Sequence, residues 1–209
     1  MNREKLINST FKSIKKITSG NFTTLRNFDF IPEQSSIEND IDVLVPNKYI
    51  SDLVENCKDN YFIYQDQNPC LYGAEPHIHF KNKELDVHFD IVTGLYYRSS
   101  NDSNLFIKVN DELEKSMLEH KTLVDDVWLS QPSSEDELVH LACHCIFDKK
   151  KVTKRYEDRM NYLFKDCQEE KLNKLLEIAF YKTSNTIFES LSIGNSSKIY
   201  ENYISFTDY

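Results

Sequence analysis

Glycine and proline are scarce in this chain, and they are unevenly spread. Its 209 residues include four glycines and five prolines. Every proline (Pro32, Pro46, Pro69, Pro76 and Pro132) falls in the first 132 residues, and beyond them only Gly194 interrupts the side-chain-bearing sequence. Both residues break regular structure, so this split predicts a mixed α/β first part and an all-helical second part. Long apolar runs are absent too. None reaches the roughly 18 residues of a membrane-spanning helix, and the start, Met-Asn-Arg-Glu-Lys-Leu-Ile-Asn, has no apolar signal core. The five cysteines are an odd number without framework spacing, which fits a reducing compartment, and a cytoplasmic protein is expected.

Basic charge is in deficit. Lys and Arg number 25 against 34 Asp and Glu, for a net charge of −9. A broad nucleic-acid footprint is basic, so nucleic acid is not an expected partner. A nucleotide substrate remains open, because metal ions mask phosphate charge locally. Apolar residues make up 40% and aromatics 12%, enough for a packed core in one large domain or two small lobes. The abundance of Asn, Lys and Ile matches an AT-rich bacterial genome.

What is present centres on Asn39-Asp40-Ile41-Asp42-Val43-Leu44-Val45. In a strand, residues i and i+2 share a face, so Asp40 and Asp42 project together while Ile41 and Val43 turn into the core. Two adjacent carboxylates repel, and burial compounds the cost. A hard divalent cation such as Mg²⁺ or Mn²⁺ relieves both. An edge strand with both Asp residues in water is the plainer alternative. A second alternating run, from Glu84 to Val92, sets Leu85, Val87, Phe89 and Ile91 on one face and Asp86, His88 and Asp90 on the other. With His77-Ile78-His79-Phe80 before it, joined through Lys81-Asn82-Lys83, it reads as a β-hairpin. Beside the first strand, that hairpin would bring a third carboxylate, and three on neighbouring strands suffice for two Mg²⁺ ions around a triphosphate.

A helix, then Leu25-Arg26-Asn27, Asp40-Ile41-Asp42-Val43-Leu44-Val45 and Leu85-Asp86-Val87-His88-Phe89, resembles the nucleotidyltransferase (polymerase-β-like) superfamily. Within it, the chain is similar to uncharacterised bacterial members encoded beside surface-polysaccharide genes. The likeness spans about residues 5–100 and extends more loosely over 137–151. It implies an α+β fold, with a mixed sheet flanked by helices in a core of residues 1–110. An all-helical part, 111–209, would close the cleft. It also implies transfer of an NMP from a nucleoside triphosphate to a small-molecule acceptor, such as a sugar or polyol phosphate. Asp40, Asp42 and Asp86 would be the catalytic and metal-binding residues, with Asp90 as alternative third carboxylate. Arg26 and Asn27 stand where the family has a Gly-Ser pair for the triphosphate, and an Arg can grip phosphate as a fork. His88 and Lys149 complete the expected nucleotide-binding set.

Other readings stay open. A degenerate fold acting as a binding module and a toxin–antitoxin nucleotidyltransferase share these motifs. A phosphocholine-type transferase lacks its Trp-Asp-Asp lead-in here. His140 and His144 have i, i+4 spacing that can bind zinc, though a packed helix face with one His toward the cleft fits as well. Lys149-Lys150-Lys151 could reach phosphate or be a solvated junction. Trp128, Tyr96 and Tyr97 could stack on a base or fill the core. Helices are expected over 3–18, 47–57, 133–147, 153–165, 169–182 and 196–205, and strands over 22–25, 41–45, 61–65 and 105–109. Oligomeric state is not legible.

Overall fold

Leu6, Ile7, Phe11 and Ile14 line one side of helix α1 (Arg3–Thr18) and are completely buried. The Asn2 side chain caps its start, accepting from the Lys5 amide, and a left-handed Ser19 followed by Gly20 at φ +80° ends it. In this computed structural model the described residues are 1–26, 31, 36–65, 70–71, 77–99, 105–123 and 129–205. Asn27 and Trp128, singled out from the sequence, lie outside them, as does most of the expected loop over 28–39.

The strands are β1 (Thr23–Thr24), β2 (Ile41–Leu44), β3 (Phe62–Gln65), β4 (Cys70–Leu71), β5 (Ile78–Asn82), β6 (Val87–Val92), β7 (Tyr96–Arg98) and β8 (Phe106–Lys108). Helix α2 (Ile50–Cys57) follows β2 through a 3₁₀ turn at Asn47–Tyr49. Five strands form a mixed sheet in the order β1-β2-β6-β5-β3, in which β2 and β6 are parallel and the other pairs antiparallel. A smaller sheet runs β4-β8-β7. The alternation read from sequence holds. Ile41, Val43, Ile78, Phe80, Val87, Phe89 and Ile91 share a core with α1 and α2. Leu44 and Val92, of the opposite parity, join a second core built mainly from the later helices.

The expected hairpin forms, but its turn falls later than the sequence suggested. Lys81 and Asn82 belong to β5, and Lys83 to Asp86 make the connection. The Asn82 side chain fixes it by accepting from the Leu85 amide at 2.9 Å, and Asp86 adopts a left-handed φ of 53°. Asn and Asp tolerate such positions better than most residues.

Helix α3 (Asp111–Glu119) and a short hairpin, β9 (Thr122–Leu123) with β10 (Ser130–Gln131), precede α4 (Ser134–Cys143). Ser133 caps α4, its hydroxyl accepting from the Asp136 amide. Rather than ending at Cys143, α4 runs into a π-helical turn, His144–Lys149, closed by left-handed Lys150. Then come α5 (Lys154–Phe164), α6 (Glu169–Phe180), α7 (Ser184–Ser192) and α8 (Ile199–Ile204). Beyond β10 every regular element among the described residues is helical, as the proline distribution predicts, but the β9–β10 hairpin falls inside 111–209, so that part is not all-helical as expected. Helices α3 and α7 were not anticipated. Among the described residues no helix is long and apolar enough to cross a membrane.

Candidate functional site

The parallel pairing of β2 with β6 sets Asp42 directly beside Asp90, and Asp40 lies one residue before β2. Carboxylate oxygens of Asp40, Asp42 and Asp90 all lie within 4.8 Å of one another. Opposite ligands of one Mg²⁺ stand about 4.2 Å apart, so the cluster has the span of a cation site. Asp90 therefore holds the place expected of Asp86. Asp86 is spent in the β5–β6 connection, where its Oδ1 accepts the Ile37 amide at 2.9 Å. Strand β6 begins only at Val87, so the carboxylate that pairs across to β2 is the one two residues beyond His88.

Arg26 does not sit as an open phosphate fork. Its Nε donates to Asp42 Oδ2 at 2.8 Å and its Nη2 to Asp42 Oδ1 at 3.2 Å. Nη1 meets Nε2 of His144, whose Nδ1 faces Asp148 Oδ2 at 2.8 Å. Asp148 Oδ1 also accepts the Arg98 amide at 2.8 Å. The consistent proton assignment is a neutral His144, giving its Nδ1 proton to Asp148 and accepting from Arg26 at Nε2. Its basicity is lowered by burial and by the neighbouring guanidinium, against the opposing pull of Asp148. The π-helical turn puts His144 and Asp148, i and i+4, on one side toward Arg26. Asp148 was missed in the sequence reading, although that spacing after His144 was its available signal.

The electrostatics divide the three carboxylates. Burial opposes ionisation of Asp42, but Arg26 outweighs it and holds the carboxyl below its ordinary value. Burial, Asp42 and Asp90 push Asp40 up to about 7, with Arg26 only partly offsetting them. The third member, Asp90, is 6% exposed. Its Oδ2 meets His77 Nδ1 at 3.0 Å, while its buried Oδ1 has no hydrogen-bond partner. Buried polar atoms are rarely left so, and a missing ligand is one explanation. Hard oxygens, an orphaned oxygen and one cation for three carboxylates together fit a divalent metal.

Histidines border the acids. His79 Nδ1 lies 3.0 Å from His88 Nε2 and 3.7 Å from Asp90 Oδ1, and Tyr64 stacks on its ring at 4.8 Å. His88 Nδ1 reaches the Ile37 carbonyl at 3.3 Å. His88 thus braces the strand ends and His79, and it is not among the residues that line the cleft. Both ring nitrogens of His144 are engaged, so zinc finds no pair of free imidazole nitrogens in His140 and His144; the helix face is packed, but both histidines, rather than the one expected, line the cleft.

Between sheet and helices lies a cleft of about 270 Å³, whose walls include Arg26, Asp42, Asp90, Tyr96, His140 and Lys149. Lys149 has no ion-pair partner among the described residues, whereas Lys150 and Lys151 are not on the cleft wall. Tyr96 and Tyr97 line the cleft but are largely buried, and Tyr97 belongs to the helical core. No family model, curated protein or solved structure matches this chain.

Proposed function

We propose that the protein is a metal-dependent nucleotidyltransferase that moves an NMP from a nucleoside triphosphate to a hydroxyl or phosphate oxygen of a small acceptor. The observation that carries this is the convergence of Asp40, Asp42 and Asp90 beside a cleft, with Asp90 Oδ1 buried and making no hydrogen bond. The mixed sheet flanked by helices supports a nucleotidyltransferase-like fold, with residues 1–110 as its core and 111–209 as the part that closes the cleft. Asp40, Asp42 and Asp90 would hold Mg²⁺ or Mn²⁺. When bound, the metal neutralises triphosphate charge and acidifies the attacking hydroxyl.

The chain's own groups do the rest by positioning. Lys149, on the cleft wall and free of acidic partners among the described residues, contacts the triphosphate. The acceptor oxygen bonds to the α-phosphorus as the bond to the bridging oxygen breaks and pyrophosphate leaves. The acceptor proton passes to the Asp90 carboxylate, whose Oδ2 is steadied by His77. Arg26 keeps Asp42 ionised and in place, held from behind by His144 and Asp148.

A second reading, a non-catalytic binding module, is favoured by one observation. The residue in the Gly-Ser position, Arg26, spends its guanidinium on protein partners. One experiment separates the two: thermal unfolding with each of the four NTPs, with and without Mg²⁺ or Mn²⁺, on wild type and Asp40→Asn/Asp42→Asn. Ligands of the native state raise the midpoint by mass action. A metal-dependent shift with one NTP, absent in the variant and followed by pyrophosphate release when acceptors are added, supports the enzyme. A shift without turnover for any acceptor supports the module, and no shift with any NTP overturns nucleotide binding altogether.

A further inference from the structure

One buried polar atom on the cleft wall has no part in the chemistry proposed above. Nε2 of His140 makes no hydrogen bond among the described residues, although the residue is only 7% exposed. Buried polar atoms are rarely left so. His140 sits in the middle of α4 and lines the cleft with Arg26, His144 and Lys149. Its ring stacks on that of His144 at 6.3 Å, and the charges of Arg26 and Asp42 both act on it.

The other ring nitrogen decides where the proton is. Nδ1 lies 2.6 Å from the Tyr97 hydroxyl, which also bonds the Cys143 thiol. For a phenolic O–H the imidazole nitrogen is the better acceptor and thiol sulfur a weak one. Tyr97 therefore donates to Nδ1, the Cys143 S–H donates to the Tyr97 oxygen, and the ring proton stands on Nε2. Burial and Arg26 hold the basicity of His140 down, to about 3, so the ring is neutral. The cleft wall thus carries an uncharged N–H in want of an acceptor. The carboxylates on that wall are engaged elsewhere: Asp42 accepts from Arg26, and Asp148 from His144 and the Arg98 amide.

We propose that His140 Nε2–H donates to a phosphate oxygen of the bound nucleotide, at the end of the helical wall beside Asp42. This rests on the nucleotidyltransferase reading and deepens it with a substrate-binding residue outside the set that the family resemblance implies. A phosphate oxygen only accepts, as an N–H requires, and Arg26 and Lys149 on the same wall favour an anion. Lys149 lies nine residues beyond His140, roughly 12 Å along the helix axis. The two contacts therefore fall on different phosphates, Lys149 at the far end and His140 on the one nearest the carboxylates, which is the one transferred. A neutral donor suits that place, because a second cation there would repel Arg26 from Asp42. Held by Tyr97 before the nucleotide arrives, the N–H needs no reorientation as charge shifts onto the phosphoryl oxygens.

Two measurements test this. In the full-length wild-type chain labelled with ¹⁵N-histidine, one-bond N–H coupling shows which nitrogen of His140 bears the proton. Nε2 is expected, with its signal moving when Mg²⁺ and the NTP that binds are added; a proton on Nδ1, or an unmoved signal, overturns the proposal whether or not any variant folds. The second is calorimetric titration of the four NTPs with Mn²⁺ into Tyr97→Phe, His140→Gln/Tyr97→Phe and His140→Leu/Tyr97→Phe, a background in which no hydroxyl is orphaned. The Leu variant binds NTP roughly tenfold to a hundredfold more weakly than Tyr97→Phe, the range of one hydrogen bond to a charged group. The Gln variant, whose amide restores an N–H, recovers most of the loss, and affinity for Mn²⁺ alone is the same in all three. Equal NTP affinity in all three overturns the role of His140 and leaves nucleotide binding standing. Equal losses with Gln and Leu, or a parallel loss of Mn²⁺ binding, overturn it in favour of a structural role. Absence of NTP binding in wild type overturns this inference and the nucleotide reading together.

Discussion

Asp40 is crowded by Asp42 and Asp90 and is half-buried, so its carboxyl holds a proton up to about 7 in the folded chain, against an ordinary value of 3.8. Between these two values the native state binds more protons than the unfolded state. Stability of the metal-free protein therefore falls as pH rises through this window, and the loss is complete above about 7. Metal binding has the opposite slope. A proton on Asp40 competes with the cation, so the apparent Mn²⁺ affinity drops about tenfold per pH unit below 7 and levels off above it. Isothermal titration across pH 5.5–8.5 measures this, and a flat profile would remove Asp40 from the metal site. The choice between third carboxylates is tested alongside it. Asp90→Asn abolishes Mn²⁺ binding, whereas Asp86→Asn leaves it unchanged, because Asn keeps the acceptor for Ile37 and tolerates the left-handed backbone. Loss of Mn²⁺ binding in Asp86→Asn would reverse the assignment.

Among the elements, the turn that continues α4 matters most to the site. Asp148 accepts both from His144 and from the Arg98 amide. Asp148→Ala leaves two donors short of a partner and costs about 2–4 kcal/mol in urea unfolding, while Asp148→Asn, which keeps one acceptor oxygen, costs about half. Equal midpoints for all three proteins would mean that water takes Asp148's place. The sequence disclosed much of this architecture and little of its register. The 3.6-residue spacing in α1 and the Pro46-Asn47 start before α2 were visible because local patterns dictate them. The alternation of β6 gave the parity that puts Asp86, His88 and Asp90 on one face, and so left two of them as candidates. Which one meets β2 depends on where the hairpin turns. That is fixed by the Asn82 side chain and the left-handed Asp86, and by a parallel pairing between strands some forty-five residues apart. Helix α7 escaped notice because Ser184, Asn185, Thr186 and Ser190 are weak helix formers, and burial of Ile187 and Leu191 holds it in place. The link from His144 to Arg26 joins residues 118 positions apart, beyond any local pattern.

At the scale of the molecule there are two apolar cores, one under the sheet with α1 and α2, the other mainly among the helices, and the core residues on the cleft wall, Leu25, Val92, Leu95 and Tyr97, all belong to the second. Arg26 ties sheet to helices across the cleft wall, bound to Asp42 on the sheet and His144 on the helical side. Without a metal it is the cation that makes the acidic cluster tolerable. Arg26→Met keeps the apolar stem and removes the charge, leaving Asp42 ionised or protonated in a buried site and His144 without its donor. Breaking one side of a buried pair costs roughly 3–5 kcal/mol. For a chain of this size each kcal/mol moves the melting temperature by about 2–4 °C, so the midpoint falls by roughly 6–20 °C in chelator. A divalent cation then supplies the charge that Arg26 gave. Millimolar Mn²⁺ should raise the melting temperature of Arg26→Met by more than that of wild type, because it replaces a missing counter-charge in the variant and only adds to a present one in wild type. The same comparison in Asp90→Asn/Arg26→Met should show no rescue. Equal Mn²⁺ shifts in wild type and Arg26→Met would mean that Arg26 and the metal do not share Asp42, and the carboxylate cluster would then be a structural feature of the sheet rather than a metal centre.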